Sequence, residues 1–201
     1  MDQEKVTLPP TEIVDPAGRE FDQLPVALQL ERLLASQAHA VEAIRKITDH
    51  LASAVEAATD RLRANNGRLV YAGAGCSIRI GVQDGVELVP TFGWPINRLA
   101  YLIAGDTKAL AESVEGAEDD VDDAVVQIEQ RGITASDVVI GIAASGNTPF
   151  TCQVLAAAKE RGALTVGVSS NPAGRLVAVA EHGLVTETGA EVLAGSTRLG
   201  A

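Results

Sequence analysis

The spacing of apolar residues divides the chain near residue 67. Between residues 21 and 65, apolar side chains recur every three or four positions, which is the spacing of amphipathic helices. We expect two helices there, with a break near residues 35–40. The sequence Asn65-Asn66-Gly67 predicts the end of the second helix, because Asn and Gly tolerate the left-handed backbone of a helix C-terminus.

From residue 68 onward, short apolar runs rich in β-branched residues alternate with helical patterns. The predicted strands are residues 68–73, 99–104, 137–142, 164–169 and 183–186. The predicted helices are residues 77–88, 107–112, 119–131, 149–161 and 173–181. This alternation is typical of a doubly wound, parallel α/β sheet with right-handed crossovers.

The predicted architecture therefore has three parts. Residues 1–20 are rich in proline and are expected to form an extended arm, and residues 21–66 form the N-terminal helices. Residues 67–201 form a five-stranded, Rossmann-like α/β domain.

Two predicted strands end in turns of small residues that carry hydroxyl groups. One strand leads into the turn at residues 143–146, followed by Asn147 and Thr148, whose side chains suit a helix start. The other strand leads into the glycine-rich turn at residues 73–75, followed by Ser77. Free amides at a helix N-terminus bind anions, and ligands of open α/β sheets bind outside the carboxyl ends of the strands. We therefore expect a ligand, most plausibly bearing phosphate, between these turns.

The composition narrows the range of partners. The chain has 16 basic and 27 acidic residues, a net charge of −11, which disfavours nucleic acid and anionic membranes. No apolar run is long enough to span a bilayer, and the first residues lack the apolar core of a signal peptide. Cys76 and Cys152 are interpreted as reduced, buried residues of a cytoplasmic protein, and no Cys/His spacing indicates a metal site.

Six blocks of the sequence are similar to one known family, and they lie at residues 69–75, 90–93, 114–120, 137–149, 167–172 and 189–199. From about residue 24 to the C-terminus, the chain resembles the N-acetylmuramic acid 6-phosphate etherases, a family of SIS (sugar isomerase) domains. The acidic block at residues 114–120 and the final block at 189–199 distinguish this family from generic SIS isomerases.

The resemblance implies a reaction without cofactor or metal. The D-lactyl ether at C3 of the sugar is cleaved by elimination and hydration, which yields N-acetylglucosamine 6-phosphate and D-lactate. By resemblance, Glu87 is the general acid and Glu118 is the second carboxylate, assisting as base at C2. Without the resemblance, two other interpretations stay open. Glu87 is then a surface glutamate, and Glu118 is a carboxylate that complements a helix dipole.

The resemblance also implies the residues that hold the sugar 6-phosphate. The chain differs from the family at two positions in or beside this set of residues. Ile78 replaces a family glycine, and Asn147 replaces a family arginine. The expected binding residues are Ser77, Arg79, Ser145, Gly146, Asn147, Thr148 and Ser196.

The expected assembly is a homodimer formed through helices that flank the sheet. The family continues beyond the point where this chain stops, so we interpret the chain as a fragment or a shortened relative. Two other functions stay open at this point. One is a non-catalytic, regulatory protein that binds sugar phosphates, and the other is a phosphosugar isomerase.

Overall fold

The first two described helices meet at a later position than the sequence suggested. The structure is a computed structural model that describes Gly18, residues 20–193 and Ser196. For residue 65 it describes the backbone only. A short 3₁₀ turn, Phe21–Gln23, precedes α1 (Val26–Lys46) and α2 (Thr48–Asn65). The predicted arm at residues 1–20 lies almost entirely outside the described residues.

The break between α1 and α2 lies at Ile47, so the prediction of a break near residues 35–40 is wrong. Residues 35–40 are Ala, Ser, Gln, Ala, His and Ala, and all of them are tolerated inside a helix. At the true break, the amide of Ile47 donates to Ile44 O and the hydroxyl of Thr48 donates to Arg45 O. Two adjacent β-branched residues lower the helix propensity there.

The five strands form one parallel sheet in the order β2-β1-β3-β4-β5, which confirms the predicted fold class. The strands are β1 (Leu69–Gly73), β2 (Leu99–Ile103), β3 (Val138–Ile142), β4 (Leu164–Ser169) and β5 (His182–Val185). The remaining helices are α3 (Gly75–Phe92), α4 (Val121–Gln130), α5 (Pro149–Glu160) and α6 (Arg175–Val179). Short 3₁₀ turns occur at Ile96–Arg98, Thr107–Leu110 and Ala117–Asp119, and the second of them takes up the first four residues of the helix predicted at 107–112.

Helices cover both faces of the sheet. Successive residues of β1 point to opposite faces, so Val70 packs with α4, α5 and α6 while Tyr71 packs with α3. On the second face, Ala54 of α2 packs against Val166 and Leu184 of β4 and β5. Helix α1 lies outside these layers, and Ala43 is its only buried residue.

The strand order reverses between β1 and β3. The chain passes from β1 to β2 on one side, and then returns to β3 on the other side of β1. In open α/β sheets, this reversal opens a crevice at the carboxyl ends of the two strands. None of the helices in the described part of the chain is long and apolar enough to cross a membrane.

Candidate functional site

The two predicted anion-binding turns lie at the same edge of the sheet. Gly73 at the end of β1 pairs with Ile142 at the end of β3, so the two strands stop side by side. Helix α3 then begins at Gly75, which adopts a φ of +53°, and a Cβ added there would meet no atom within 4 Å. The backbone at the start of α3 is therefore open to a ligand from solvent.

The turn that follows β3 is held in one conformation by its neighbours. Gly146 has a φ of +69°, and a Cβ there would lie 2.5 Å from Ser169 Oγ and 2.8 Å from Gly174 Cα. The side-chain amide of Asn171 donates to Ser145 O at 2.9 Å. The turn needs glycine at this point and is organised before any ligand binds.

Asn147 and Thr148 occupy two different roles in this turn. The side-chain oxygen of Asn147 accepts a hydrogen bond from the amide of Arg175 at 3.0 Å, at the start of α6. The amide of Asn147 donates to Ser145 Oγ at 3.2 Å. Thr148 is the N-cap residue of α5, and its half-buried side chain makes no capping bond to the helix. Ser145 and Thr148 thus flank the amides that begin α5, whereas the Asn147 oxygen joins two loops.

A cavity of about 540 Å³ lies on the other side of the α3 start, against the loop that follows β2. Glu118 lines it together with Gly75, Cys76 and Arg79. Cys76 is partly exposed here, so its interpretation as a buried residue is wrong, whereas Cys152 is fully buried. Burial raises the pKa of the Cys152 thiol.

The Arg79 side chain holds one wall of this cavity. Its Nε and Nη2 atoms donate to Ala109 O at 3.0 and 2.8 Å, and Nη2 also donates to Glu112 O at 2.9 Å. These bonds tie α3 to the loop after β2. Arg79 therefore shapes the cavity by hydrogen bonds to backbone, besides any contact to a ligand.

The Ile78 side chain points away from the site. It is fully buried and packs with Tyr71, Ile103 and Ala109 between α3 and the sheet. The replacement of the family glycine therefore adds volume to the core and leaves the open backbone at Gly75 uncovered.

Glu118 faces the cavity from the 3₁₀ turn Ala117–Asp119. The N-terminus of α4 is capped by Asp120, whose side chain accepts from the amide of Asp123 at 2.9 Å. Asp122 and Asp123 supply acidic residues in the first turn of α4. Complementation of the helix dipole is thus provided by these aspartates, which leaves Glu118 available for other chemistry.

Glu87 is placed differently from Glu118. It lies on α3, eight residues beyond Arg79, which corresponds to about 12 Å along the helix axis. Glu87 is exposed, and its neighbour Val86 is 52% exposed. Glu87 is not among the residues that line the cavity of Glu118. Among the described residues, therefore, only one of the two predicted catalytic carboxylates lines this cavity.

Ser77 and Ser196 complete the set of predicted binding residues. Ser77 is half-buried in the first turn of α3, beside the open backbone. Ser196 is half-buried, and its amide donates to Leu193 O at 2.9 Å. The residues on either side of Ser196 lie outside the described part of the chain.

The sequence analysis missed a polar contact beneath α3. The Tyr71 hydroxyl donates to Asp84 Oδ2 at 2.5 Å, and burial together with this bond raises the pKa of Tyr71. Gly81 and Gly85 allow α3 to lie directly on the rings of Tyr71 and Tyr101. Two glycines spaced four residues apart in a helical pattern were the available signal.

Comparison with known proteins gives a family match and several similar proteins. Residues 50–159 match the family described as glucokinase regulatory protein N-terminal SIS domain. The chain is 43% identical over 94% of its length to N-acetylmuramic acid 6-phosphate etherases of Rubrobacter xylanophilus and Streptomyces avermitilis. It spans 62% and 60% of the lengths of these two curated relatives.

The fold also matches a solved structure. This is a Bacteroides fragilis protein described as a candidate phosphosugar isomerase involved in capsule formation, with a TM-score of 0.62 at 20% identity. The match covers 88% of this chain and 83% of that protein.

Proposed function

The chain belongs to the SIS-domain family of the glucokinase regulatory protein N-terminal domain, and on that premise we propose that it is a carbon–oxygen lyase. The proposed substrate is N-acetylmuramic acid 6-phosphate, and the products are N-acetylglucosamine 6-phosphate and D-lactate. The observation that carries this proposal is the 43% identity to etherases over 94% of the chain, which includes the turns and acidic block of the site.

The reaction would proceed in two balanced steps. A base removes the proton at C2 of the open-chain sugar while the C3–oxygen bond breaks, and an acid protonates the departing lactate oxygen. Water then adds to C3 of the resulting unsaturated aldehyde, and a proton returns to C2. Positioned acids and bases typically contribute about 10²–10⁴-fold each to such steps.

The proposed roles follow the position of each group. The amides that begin α3 and α5, with Ser77, Ser145 and Thr148, would hold the 6-phosphate. Glu118 would act as base at C2, since it faces the cavity beside the α3 start. Glu87 would act as the acid, and its exposed position on α3 requires substrate or a second subunit to bring it into the site.

A lactate-release assay tests the activity. We expect this chain to release D-lactate from N-acetylmuramic acid 6-phosphate, and Glu118→Gln to lower release at least about 100-fold. Glu56→Gln, on the exposed side of α2, is the matched control and should retain full activity. Equal release by Glu118→Gln and the control would remove Glu118 from the mechanism.

The phosphate site has its own test. A sugar 6-phosphate should raise the melting temperature, whereas the unphosphorylated sugar should not, because the amides and hydroxyls bind the phosphate. A ligand at 100 times its dissociation constant stabilises a fold by about 2.7 kcal/mol. Ser145→Ala should reduce this shift. Equal protection by the unphosphorylated sugar would contradict a phosphate site.

A second candidate function is a non-catalytic sugar-phosphate sensor. The exposed position of Glu87, outside the cavity that Glu118 lines, supports this candidate, because ether cleavage needs both carboxylates at one substrate. The sensor would show the ligand-induced melting shift without lactate release. Lactate release that depends on both glutamates would reject the sensor.

The apolar face of α1 supports the homodimer. Val26, Leu30, Leu34 and Val41 are between 51% and 70% exposed, and their spacing puts them on one side of the helix. The occupant we propose is a second copy of this chain, because a twofold dimer lets the same stripe pack against itself. Burial of these side chains would remove a continuous apolar stripe from water.

Light scattering over a hundredfold range of concentration tests the dimer. We expect a constant dimer mass for the native sequence and a monomer for Leu34→Gln. Leu28→Gln is the matched control, since Leu28 is 37% exposed and lies on the opposite side of α1. A constant monomer mass for the native sequence would reject the dimer.

We also place the protein in the cytoplasm. Both Cys76 and Cys152 are free thiols, which is typical of a reducing compartment. Recovery of the native protein in a secreted or periplasmic fraction would contradict this location.

A further inference from the structure

We propose that a second cleft, separate from the sheet-edge site, binds a small hydroxylated anion that carries a carboxylate or phosphate group. The cleft has a volume of about 360 Å³ and lies between α1 and the segment that follows β5. This volume falls in the range of small-molecule sites. The proposal does not depend on the ether-cleaving activity. The side chains on which it rests are Arg32, Ser36, His39 and Thr188.

One side of α1 forms the first wall. Arg32, Ala35, Ser36 and His39 occur at intervals of three and four residues, so they share one helix face. This face is opposite the exposed apolar stripe on the same helix. Helix α1 therefore presents a polar side to the cleft and an apolar side to the proposed partner subunit.

The second wall is the segment that follows β5. Thr188, Ala190 and Val192 of this segment line the cleft. Glu191 lies between two of them, is 3% exposed and is not among the lining residues. Within the described residues, no acidic side chain lines the cleft, although the chain carries a net charge of −11.

The chemistry of the walls selects an anion with hydroxyl groups. The guanidinium of Arg32 suits the planar oxygens of a carboxylate or phosphate, and the His39 ring lies two helical turns along. Arg32 and Ser36 each have another interaction already, so a ligand would share their donors. Ser36 and Thr188 are suited to the hydroxyl groups of a ligand.

Thr188 supplies the observation that points to a ligand. Its hydroxyl is buried and has no hydrogen-bond partner within the described part of the chain. A buried hydroxyl left without a partner costs about 1–3 kcal/mol, so native structures normally satisfy it. Because Thr188 lines the cleft, rotation of its side chain would turn the hydroxyl toward a ligand oxygen that accepts this bond.

The test uses two probes, inorganic phosphate and D-lactate, with glycerol as the neutral control. The full chain, with ¹³C-labelled histidine, is titrated with each probe. We expect a saturable shift of the His39 resonance and no saturable shift of His50 on α2 or His182 on β5. A shift by either anion supports the site and tells which anionic group it accepts. No saturable shift at His39, or an equal shift with glycerol, would overturn the proposal.

Two threonine variants separate binding from folding. Thr188→Val removes the buried hydroxyl with little change in shape, and should weaken the binding of the anion about tenfold. Thr151→Val is the matched control, because Thr151 is also buried with an unpartnered hydroxyl but lies in α5. Both variants should fold at least as well as the native chain. Undiminished binding by Thr188→Val would overturn the proposal.

Discussion

The two edges of the sheet are built in opposite ways. At the amino edge, where the strands begin, arginine side chains tie the connecting segments together. Arg68 donates to Arg131 O, Gly132 O and the buried carboxylate of Asp137. Arg98 donates to Gly67 O at 2.8 Å and to Leu62 O at 2.7 Å. Loops at this edge leave few backbone groups for a ligand.

The carboxyl edge keeps its backbone accessible instead. The α3 start at Gly75 is exposed, whereas the turn at Ser145 and Gly146 is held by the loop that follows β4 and by groups of α5 and α6. The loop after β2 carries exposed carboxylates, including Glu118. We infer that the amino edge mainly stabilises the fold, whereas the carboxyl edge mainly supplies groups for binding. The following predictions test this division.

The largest expected effect is the loss of the Asp137 carboxylate. Asp137 is 2% exposed, pairs with Arg68 Nη2 at 2.8 Å and accepts from the amide of Thr134. Breaking a buried ion pair costs about 3–5 kcal/mol, because the remaining charge is left without a partner. We expect Asp137→Ala to lose about this much in a urea unfolding experiment.

The control for this variant is Glu129→Ala. Glu129 lies 3.9 Å from Arg161 and is exposed, so its removal should cost less than about 1 kcal/mol. If Asp137→Ala loses no more unfolding free energy than Glu129→Ala does, the amino edge does not make the larger contribution to stability.

A smaller effect is expected from Gly146→Ala at the carboxyl edge. The left-handed backbone costs an L-residue about 1–2 kcal/mol, and overpacking adds about 1–3 kcal/mol. The new methyl group would meet Ser169 Oγ and Gly174 Cα. We expect a loss of about 2–5 kcal/mol, together with loss of the melting shift induced by a sugar 6-phosphate.

Gly75→Ala is the matched comparison within the same edge. Gly75 has a positive φ too, but a Cβ there meets nothing within 4 Å. We expect a loss of only about 1 kcal/mol, from backbone strain alone. Equal losses at Gly75 and Gly146 would show that the β4 loop does not brace the turn.

The smallest expected effect is the pH dependence of the amino edge. Burial alone would raise the pKa of Asp137, but hydrogen bonds from Arg68 and Thr134 and the charge of Arg68 outweigh it and lower this pKa. Because this pKa is lowered, the Asp137 carboxylate stabilises the folded state fully above the ordinary value of 3.8. This stabilisation is lost as the pH falls through the lower pKa of the folded state.

Urea unfolding of the native chain and of Asp137→Asn between pH 2 and pH 7 measures this dependence. The difference in unfolding free energy between the two chains should be constant at neutral pH and shrink in acid, below the ordinary aspartate pKa. A difference that does not change with pH would show that the Asp137 charge contributes nothing.

The elements and the edge of the sheet that holds the candidate site could be predicted from local patterns. The β-branched runs and helical spacings predicted all five strands, because each pattern reflects burial on a sheet or helix face. The turns at residues 73–75 and 143–148 predicted a ligand edge, because parallel strands share one direction and their carboxyl ends must lie together. The etherase resemblance then supplied the candidate substrate and glutamates.

Other features depended on contacts between residues far apart in the chain. Arg68 and Asp137 are 69 positions apart, and no local sequence pattern predicts that the fold brings their side chains into contact. The same holds for Arg79, whose guanidinium binds the backbone of Ala109, and for the cleft between α1 and Thr188.

The sequence alone determined the succession of strands and helices along the chain, because helix and strand propensity and hydrophobic spacing act within a few residues. Only the tertiary structure decided how side chains were used: Ile78 turned into the core, Glu118 faced a cavity, and Glu87 stayed on an exposed helix surface. The physical reason is that the helix rotation set by packing, here Gly81 and Gly85 resting on two tyrosine rings, determines where each neighbouring side chain points.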